Sequence, residues 1–488
     1  MPTDGSRIST GIEGLDVLLH GGFIPDRAYM VRGTSGTGKT ILGYHFLAAG
    51  LDAGENVLYI SFEEPAADLR ANAASLGFDL SELPVLDLSP TAGEFLEDDS
   101  YSVLTPSEVE GHSTASEIAA AVSEHSPDRV VIDPLSQLRH LSPDDYQFNK
   151  TAASLMSYLK QEGITTLFTS QPSTERTDEA LQYLCSGSLT LSRADTSRRL
   201  TIEKFRGSDF QSGSHAIRID DGRGMQIFPK LVPDAHHRSF TIETIASGVD
   251  GLDSLLGGGL ERGSVTLMSG PSGVGKSTTA TAFARAAAES GERAALYLFE
   301  ESPQSLMHRS ASLGLPLTDG IENEMLAVEA IEPVAISADE FAHQVRTEVE
   351  EHGTRFVVID GTAGYKLSLR GDNDELRQEL HSLARYLRNM GATVVITDEV
   401  QQVTGAFQAS DTHVSYLADN ILFFRYIEVR GEIRKAVGVL KKRFGEFEAT
   451  LRAFHLDSDG IHVGEPLDDL RGVLTGTPTW NDDAPDSD

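Results

Sequence analysis

The chain has 488 residues, with 40 Lys or Arg against 74 Asp or Glu, a formal net charge of −34, and a single cysteine, Cys185. That length implies two or three domains of ~100–200 residues, each able to bury a core. One cysteine excludes an intrachain disulfide and a Cys-based metal cluster, and no apolar run reaches the ~18 residues of a membrane span.

The start, Met1 to Arg7, has no basic-then-apolar leader pattern, so a cytoplasmic protein is expected. Only 10 of the basic residues are Lys. So acidic a surface repels phosphate backbones and anionic membranes, and it suits a protein adapted to concentrated salt, where screening mutes that repulsion.

In chain order, the segment Gly11–Leu19 (GIEGLDVLL) leads into a short apolar strand at Tyr29–Arg32. A glycine loop follows: Gly33, Thr34, Ser35, Gly36, Thr37, Gly38, Lys39 and Thr40, opening a helix. Strands are predicted at Val57–Phe62, running into Glu63 and Glu64, at Val130–Asp133, and at Leu167–Ser170. The stretch Leu189–Phe228 reads as strands joined by short turns and carries Lys204 and Arg206. A polar link near Pro229–Ser239 follows, in which His236 and His237 are expected to be solvated.

The pattern then repeats. Gly11 and Gly248, Gly33 and Gly270, and Phe62 and Phe299 are each 237 residues apart, and the same spacing separates Lys204 from Lys441 and Arg206 from Arg443. Strands recur at Val265–Ser269, Ala295–Phe299, Val357–Asp360 and Thr393–Thr397, and turn-linked strands at Ile421–Val463. One register held this long means a tandem duplication. Strands alternating with helices predict an α/β fold, mostly parallel, with antiparallel C-terminal strands in each half. The expected domains are 1–235 and 236–465, followed by an acidic, disordered tail at 466–488.

Both glycine loops fit the phosphate-loop pattern, the second as Gly270, Pro271, Ser272, Gly273, Val274, Gly275, Lys276 and Ser277. Glycines let backbone N–H groups wrap phosphates at a helix N-terminus. Lys39 and Lys276 are the expected contacts to the β- and γ-phosphates, and Thr40 and Ser277 the Mg²⁺ ligands. Asp133 and Asp360, each ending an apolar strand, suit the same metal, directly or through water. Glu63–Glu64 and Glu300–Glu301 sit at strand ends that a parallel sheet delivers to the nucleotide crevice. One of each pair, Glu63 and Glu300 by preference, is the candidate to orient or deprotonate the attacking group. Lys204 with Arg206, and Lys441 with Arg443, are basic clusters in basic-poor surroundings; a neighbouring subunit can use such cations at a γ-phosphate.

Taken together, the lead-ins GIEGLDVLLHGG (Gly11–Gly22) and Gly248–Gly259, the loops, the paired Glu and the strand-end Asp resemble the KaiC family, double RecA-like ATPases with many archaeal relatives. The resemblance covers about residues 6–465. It implies a homohexamer of two stacked rings with ATP between neighbouring subunits, a slow ATPase in the first ring, and ATPase plus serine/threonine autokinase and dephosphorylation in the second. It also implies a signalling or circadian-type switch with KaiB-like or signalling partners, here as an archaeal, salt-adapted relative. Lys204/Arg206 and Lys441/Arg443 match the family's Lys-x-Arg element, which reaches the neighbour's nucleotide.

One segment departs from the family. Its Asp-Ser-His-Ile-Ser-Thr is here Asp411-Thr412-His413-Val414-Ser415-Tyr416. Ser415 keeps the phosphorylated serine, while Tyr416 replaces the phosphorylated threonine and reaches several ångströms further. Autophosphorylation is expected on Ser415 with Glu300 as base, Thr412 and Ser410 being nearby alternatives, and without a two-site cycle. Aligning Arg193 with Arg425 puts Tyr183 opposite Ser415 in the first half. Two alternatives stand beside this reading: a RecA/RadA-like nucleic-acid-dependent ATPase, and a scaffold that binds ATP only to assemble.

Overall fold

The computed structural model describes residues 7–90, 106–140, 142–172, 178–194, 197–332, 336–368, 373–400, 414–429, 431–468, 470–473 and 479–480. The chain divides into two compact units, Met1–Lys230 and Leu231–Asp488.

The first unit runs α1 (Glu13–Leu18), β1 (Ala28–Gly33), α2 (Lys39–Asp52), β2 (Val57–Ser61), α3 (Ala66–Ser75), β3 (Val85–Asp87), α4 (Pro106–His125), β4 (Arg129–Asp133), α5 (Asp145–Gln161), β5 (Thr165–Ser170), α6 (Glu179–Leu184), β6 (Gly187–Ala194), β7 (Ser197–Phe205), β8 (Ser214–Asp220) and β9 (Gly224–Phe228). Its sheet has the order β3-β2-β4-β5-β1-β6-β7-β8-β9. Neighbours from β3 to β6 are parallel, and β6 to β9 antiparallel.

The second unit repeats this with β10 (Thr244–Ile245), α7 (Asp250–Leu255), β11 (Leu260–Glu261), β12 (Val265–Gly270), α8 (Lys276–Glu289), β13 (Ala294–Leu298), α9 (Pro303–Ser312), α10 (Thr318–Glu322), β14 (Leu326–Ala330), α11 (Ala338–Glu350), β15 (Phe356–Asp360), α12 (Thr362–Ser368), α13 (Asn373–Asn389), β16 (Thr393–Glu399), β17 (Asn420–Val429), β18 (Glu432–Lys442), β19 (Arg452–Asp457) and β20 (Gly460–Pro466). The order β14-β13-β15-β16-β12-β17-β18-β19-β20 mirrors the first sheet.

The central strands are apolar on both faces because helices cover both, as parallel sheets require. Val57 and Tyr59 of β2 point into one core with Leu42 and Phe46 of α2. Leu58 and Ile60 point into the other, with Phe148 and Leu159 of α5. The second unit divides its strand residues likewise between a core with Phe283 of α8 and a core with Phe341 and Leu383.

The repeated lead-in is a structural staple. Asp16 Oδ1 accepts from Thr10 N and Oγ1 (2.8 and 2.7 Å), and Asp253 Oδ1 accepts from Ser247 N and Oγ (both 2.7 Å). Gly14 lies so close to Ile227 that a Cβ would meet its carbonyl oxygen at 1.8 Å, which explains the glycine there.

The link differs from expectation. His236 is held rather than solvated: its Nδ1 is 2.8 Å from Glu350 Oε1, and its ring stands edge-on to Tyr386 at 5.1 Å. Asp234 pairs with Arg385 (2.6 Å) and Pro233 O accepts from Asn389 Nδ2 (2.9 Å), so this segment belongs to the second unit. The stretch read as a free acidic tail also begins in contact with that unit. Leu467 N–H donates to Leu451 O (2.8 Å), Val473 is buried against Ile427 and Val429, and Leu470–Arg471 pairs with Thr479–Trp480. Hydrophobic contacts of Leu467, Leu470 and Val473 outweigh the acidic composition there.

Candidate active sites

In each unit the phosphate loop leaves the central strand and opens the next helix. Gly38 and Gly275 precede the lysines with φ of 104° and 122°, a region natural to glycine. A Cβ on Gly38 would also meet Met225 and Ile219 at 2.7 and 2.8 Å. Lys39 Nζ donates to Gly33 O (2.8 Å) and Thr34 O (3.0 Å), and Lys276 Nζ to Gly270 O (2.7 Å) and Pro271 O (2.9 Å). Burial lowers the pKa of both lysines, opposed by carboxylates facing them: Asp133 and Glu63 for Lys39, and Glu399 foremost for Lys276.

The strand-end aspartates meet the hydroxyls of Thr40 and Ser277, the loop residues expected from the sequence to be metal ligands. Asp133 Oδ2 accepts from Thr40 Oγ1 and from Tyr59 OH, each at 2.7 Å, and Oδ1 accepts from Thr169 Oγ1. Asp360 Oδ1 accepts from Ser277 Oγ (2.9 Å) and Thr397 Oγ1 (2.6 Å), and its pKa is raised by burial. A hydroxyl beside a carboxylate is a hard-oxygen donor set that suits Mg²⁺, which keeps waters and phosphate oxygens as its other ligands.

The paired glutamates lie at the ends of β2 and β13, as expected, in different company. Glu63 Oε1 accepts from Gln137 Nε2 at 2.5 Å. Glu300 instead packs against Gly361, where a Cβ would stand 3.0 Å from its Oε1. Burial, then the charges of Glu399 and Asp360, raise its pKa. Glu64 accepts from Asn72, whereas Glu301 is ion-paired with Arg309 at 2.6 Å. Arg309 Nη1 also donates to Thr278 Oγ1 (2.8 Å), tying this pair to α8.

Lys204 and Lys441 are not beside their own phosphate loops. Lys204 pairs across with Ser188 and Lys441 with Ile421, at the starts of β6 and β17. There Gly187 is level with Tyr29, and Asn420 with Thr266. The loops depart from the other ends of those central strands, roughly 13 Å along at ~3.3 Å per residue. Lys204 Nζ donates to Cys185 O (2.8 Å) and to Gln182 O, and Lys441 Nζ to Ala418 O (2.5 Å).

The same registers correct the sequence alignment of the halves. Gly187 corresponds to Asn420, so Gln182, not Tyr183, matches Ser415, and Tyr183 matches Tyr416. Arg193 likewise matches Tyr426, not Arg425: Gly36 lies beside the Arg193 guanidinium and Gly273 beside the Tyr426 hydroxyl. Ser415 is half-buried in the turn Val414–Tyr416, and Tyr416 is 59% exposed with its ring stacked near His381. Ser410 and Thr412 lie outside the described residues.

Several site residues escaped the sequence reading. Thr169, Thr397, Asp398 and Glu399 close the fifth strand of each parallel set, and the strand-end logic that found Asp133 and Asp360 would have found them too. Asp398 is buried and accepts from Thr362 Oγ1. Arg198 Nε and Lys435 Nζ reach the carbonyls of Gly36 (3.4 Å) and Gly273 (3.0 Å) from the β6–β7 and β17–β18 hairpins.

The family model described as "ATPase: KaiC" matches residues 8–232 and, again, 245–468. Circadian clock protein KaiC3 of Synechocystis sp. is 29% identical over 98% of this chain and 96% of its own length. Circadian clock oscillator protein KaiC of Acaryochloris marina is 28% identical over 97% of this chain and 91% of its own, and that of Thermostichus vulcanus 28% over 97% and 92%.

Proposed function

The chain belongs to the KaiC family of ATPases, and from that premise we propose that it hydrolyses MgATP at both sites of a homohexamer and transfers phosphate to its own Ser415. The observation that carries this reading is the polarity of each unit. Loop, metal aspartate and glutamate occupy one end of the sheet, while Lys204/Arg206 or Lys441/Arg443 occupy the other. Such a cation pair serves a nucleotide only if that nucleotide belongs to the next copy, and a head-to-tail contact of this kind closes into a ring.

Loop N–H groups and the α2 or α8 N-terminus hold the phosphates, and Lys39 or Lys276 exchanges loop carbonyls for phosphate oxygens. Thr40 with Asp133, and Ser277 with Asp360, would hold Mg²⁺, which neutralises phosphate charge when bound. Glu63 or Glu300 takes the proton of the attacking water as its oxygen bonds to the γ-phosphorus. The bond from that phosphorus to the bridging oxygen breaks, and ADP leaves with the electron pair. Neighbour-supplied Lys and Arg offset the charge that builds up.

Ser415 precedes β17, at the end of the sheet opposite its own Glu300. The base for its phosphorylation is therefore Glu300 of an adjoining copy. Turnover biases ring conformation and so partner binding, in the manner of a signalling or circadian-type switch, and the acidic surface fits a salt-adapted archaeal source. Incubation with γ-labelled ATP followed by mass mapping tests the transfer. Label on Ser415 that disappears in Glu300→Gln is expected; an unlabelled chain that still releases phosphate leaves an ATPase alone.

A further inference from the structure

The arginines of the two Lys-x-Arg elements are supported differently. In the second unit Asp419, 1% exposed, stands between Arg443 and the strand β12. Its Oδ1 accepts from Arg443 Nη1 at 2.9 Å and its Oδ2 from Val265 N–H at 3.1 Å, while its own N–H donates to Val265 O at 2.7 Å. The carboxylate is thus fixed to the first residue of the strand that ends in the phosphate loop. The Arg443 side chain remains 59% exposed, so the rest of its five-donor fork faces outward. At the neighbouring position Lys442, 2% exposed, pairs with Glu261 at 2.8 Å and anchors the element from the other face of β18.

In the first unit Ser186 takes the place of Asp419. There the backbone of Arg206 is held, its N–H donating to Ser186 O (2.8 Å) and its carbonyl accepting from Arg27 Nη1 (2.5 Å). Among the described residues its guanidinium has no hydrogen-bond partner.

We propose that Asp419 is a positioning residue that aims Arg443 at the phosphates of a nucleotide bound by a second copy of this chain, a device the first unit lacks. The proposal rests on the reading above, that the Lys-x-Arg element serves a neighbour's site. An arginine side chain has many rotamers to lose, and a pre-oriented fork loses less of that freedom per bond formed. One charge-assisted bond to a buried carboxylate supplies that orientation while leaving the guanidinium charge and its outer donors in place. Because Asp419 is fastened to β12, the arginine offered to one nucleotide is tied to the strand that carries the loop for the next.

The test measures phosphate release by the full chain with the first site silenced by Lys39→Ala. Asp419→Asn keeps an oxygen for Val265 N–H but turns an amide NH2, itself a donor, toward Arg443 and so removes the charge-assisted bond. It is expected to lower kcat about five- to tenfold with KM little changed, whereas the double variant with Arg443→Gln falls no lower than Arg443→Gln alone. Additive losses in the double variant, or a fall in kcat that tracks a lowered melting temperature, would mean a structural role and overturn the proposal. Unchanged kcat in Asp419→Asn beside a slowed Arg443→Gln overturns the proposal alone. Unchanged kcat in Arg443→Gln removes it together with the reading on which it rests.

Discussion

In the first unit Glu63 is steadied by the Gln137 amide and Glu64 by Asn72; in the second Glu300 lies among Glu399 and Asp360, and Glu301 is locked to Arg309. The duplication has kept the loop lysines, strand-end aspartates and paired glutamates and replaced the groups that support the glutamates, neutral in one copy and charged in the other. Core anchors change in both senses. Arg129, 2% exposed, lies over the Phe46 ring at 4.9 Å, donates to Ser9 O (2.7 Å) and Phe46 O (3.0 Å), and pairs with Glu55. At the matching place in the second unit Phe356 stacks on Phe283, centroids 6.3 Å apart. Likewise Ile24 and Phe205 stand where the second unit buries the Glu261–Lys442 pair. Equivalent positions can therefore be filled by apolar or ionic groups, provided each ionic group has its partners.

The strongest challenge to that contrast is removal of Arg129. Arg129→Met takes the guanidinium donors from the buried Phe46 carbonyl, from Ser9 O and from Glu55, and is expected to cost about 3 kcal/mol or more in the first unit. Hydrogen exchange should show faster opening of β1, β4 and α2 with the second unit unaffected. Equal opening in both units would mean that the anchors are not local to each copy.

Acid is expected to separate the units next. His45, which has Ala282 as its counterpart, bonds Gly11 O through Nδ1 (3.1 Å) and accepts from Met225 N–H through Nε2 (2.8 Å); burial lowers its pKa to about 4. Below pH ~6.5 the unfolded chain takes up a proton that the folded unit refuses. The first unit therefore loses up to about 3 kcal/mol as pH falls from ~6.5 towards 4. Exchange protection of β9, corrected for the intrinsic rate, should drop between pH 7 and 5 in wild type and much less in His45→Gln. Equal drops would remove His45 from the account.

A smaller effect concerns the glutamates themselves. Because Glu399 helps raise the Glu300 pKa, Glu399→Gln is expected to move the acid limb of kcat/KM at the second site to lower pH, with the first site silenced by Lys39→Ala. The reciprocal Gln171→Glu should move the limb of the first site upward with Lys276→Ala in place. A limb that stays put in both would show that the neighbouring charge does not reach the base.

The positions of the glycine loops, strand-end aspartates and paired glutamates were legible in the sequence because each is set by local geometry, a strand end or a helix start, and each occurs twice. The supports were not, because Tyr59, Thr169, Gln137 and Asp419 act across strands or turns that are distant in sequence. Register near Ser415 was misread by one residue for a related reason. Matching Arg193 to Arg425 follows charge, whereas pairing with the central strand follows backbone hydrogen bonds, and both following hairpins carry irregularities, at Ser188/Leu189 and Ile421/Leu422. The link and the first tail residues were misjudged because composition hides single contacts such as His236 with Glu350.

Steady-state phosphate release by wild type, Glu63→Gln, Glu300→Gln and the double variant bears most directly on the claim that both units are working ATP sites. Each single change should abolish one unit's share, and the double variant should fall roughly 10²–10⁴-fold while still binding nucleotide. A double variant that releases phosphate at the wild-type rate would contradict the account.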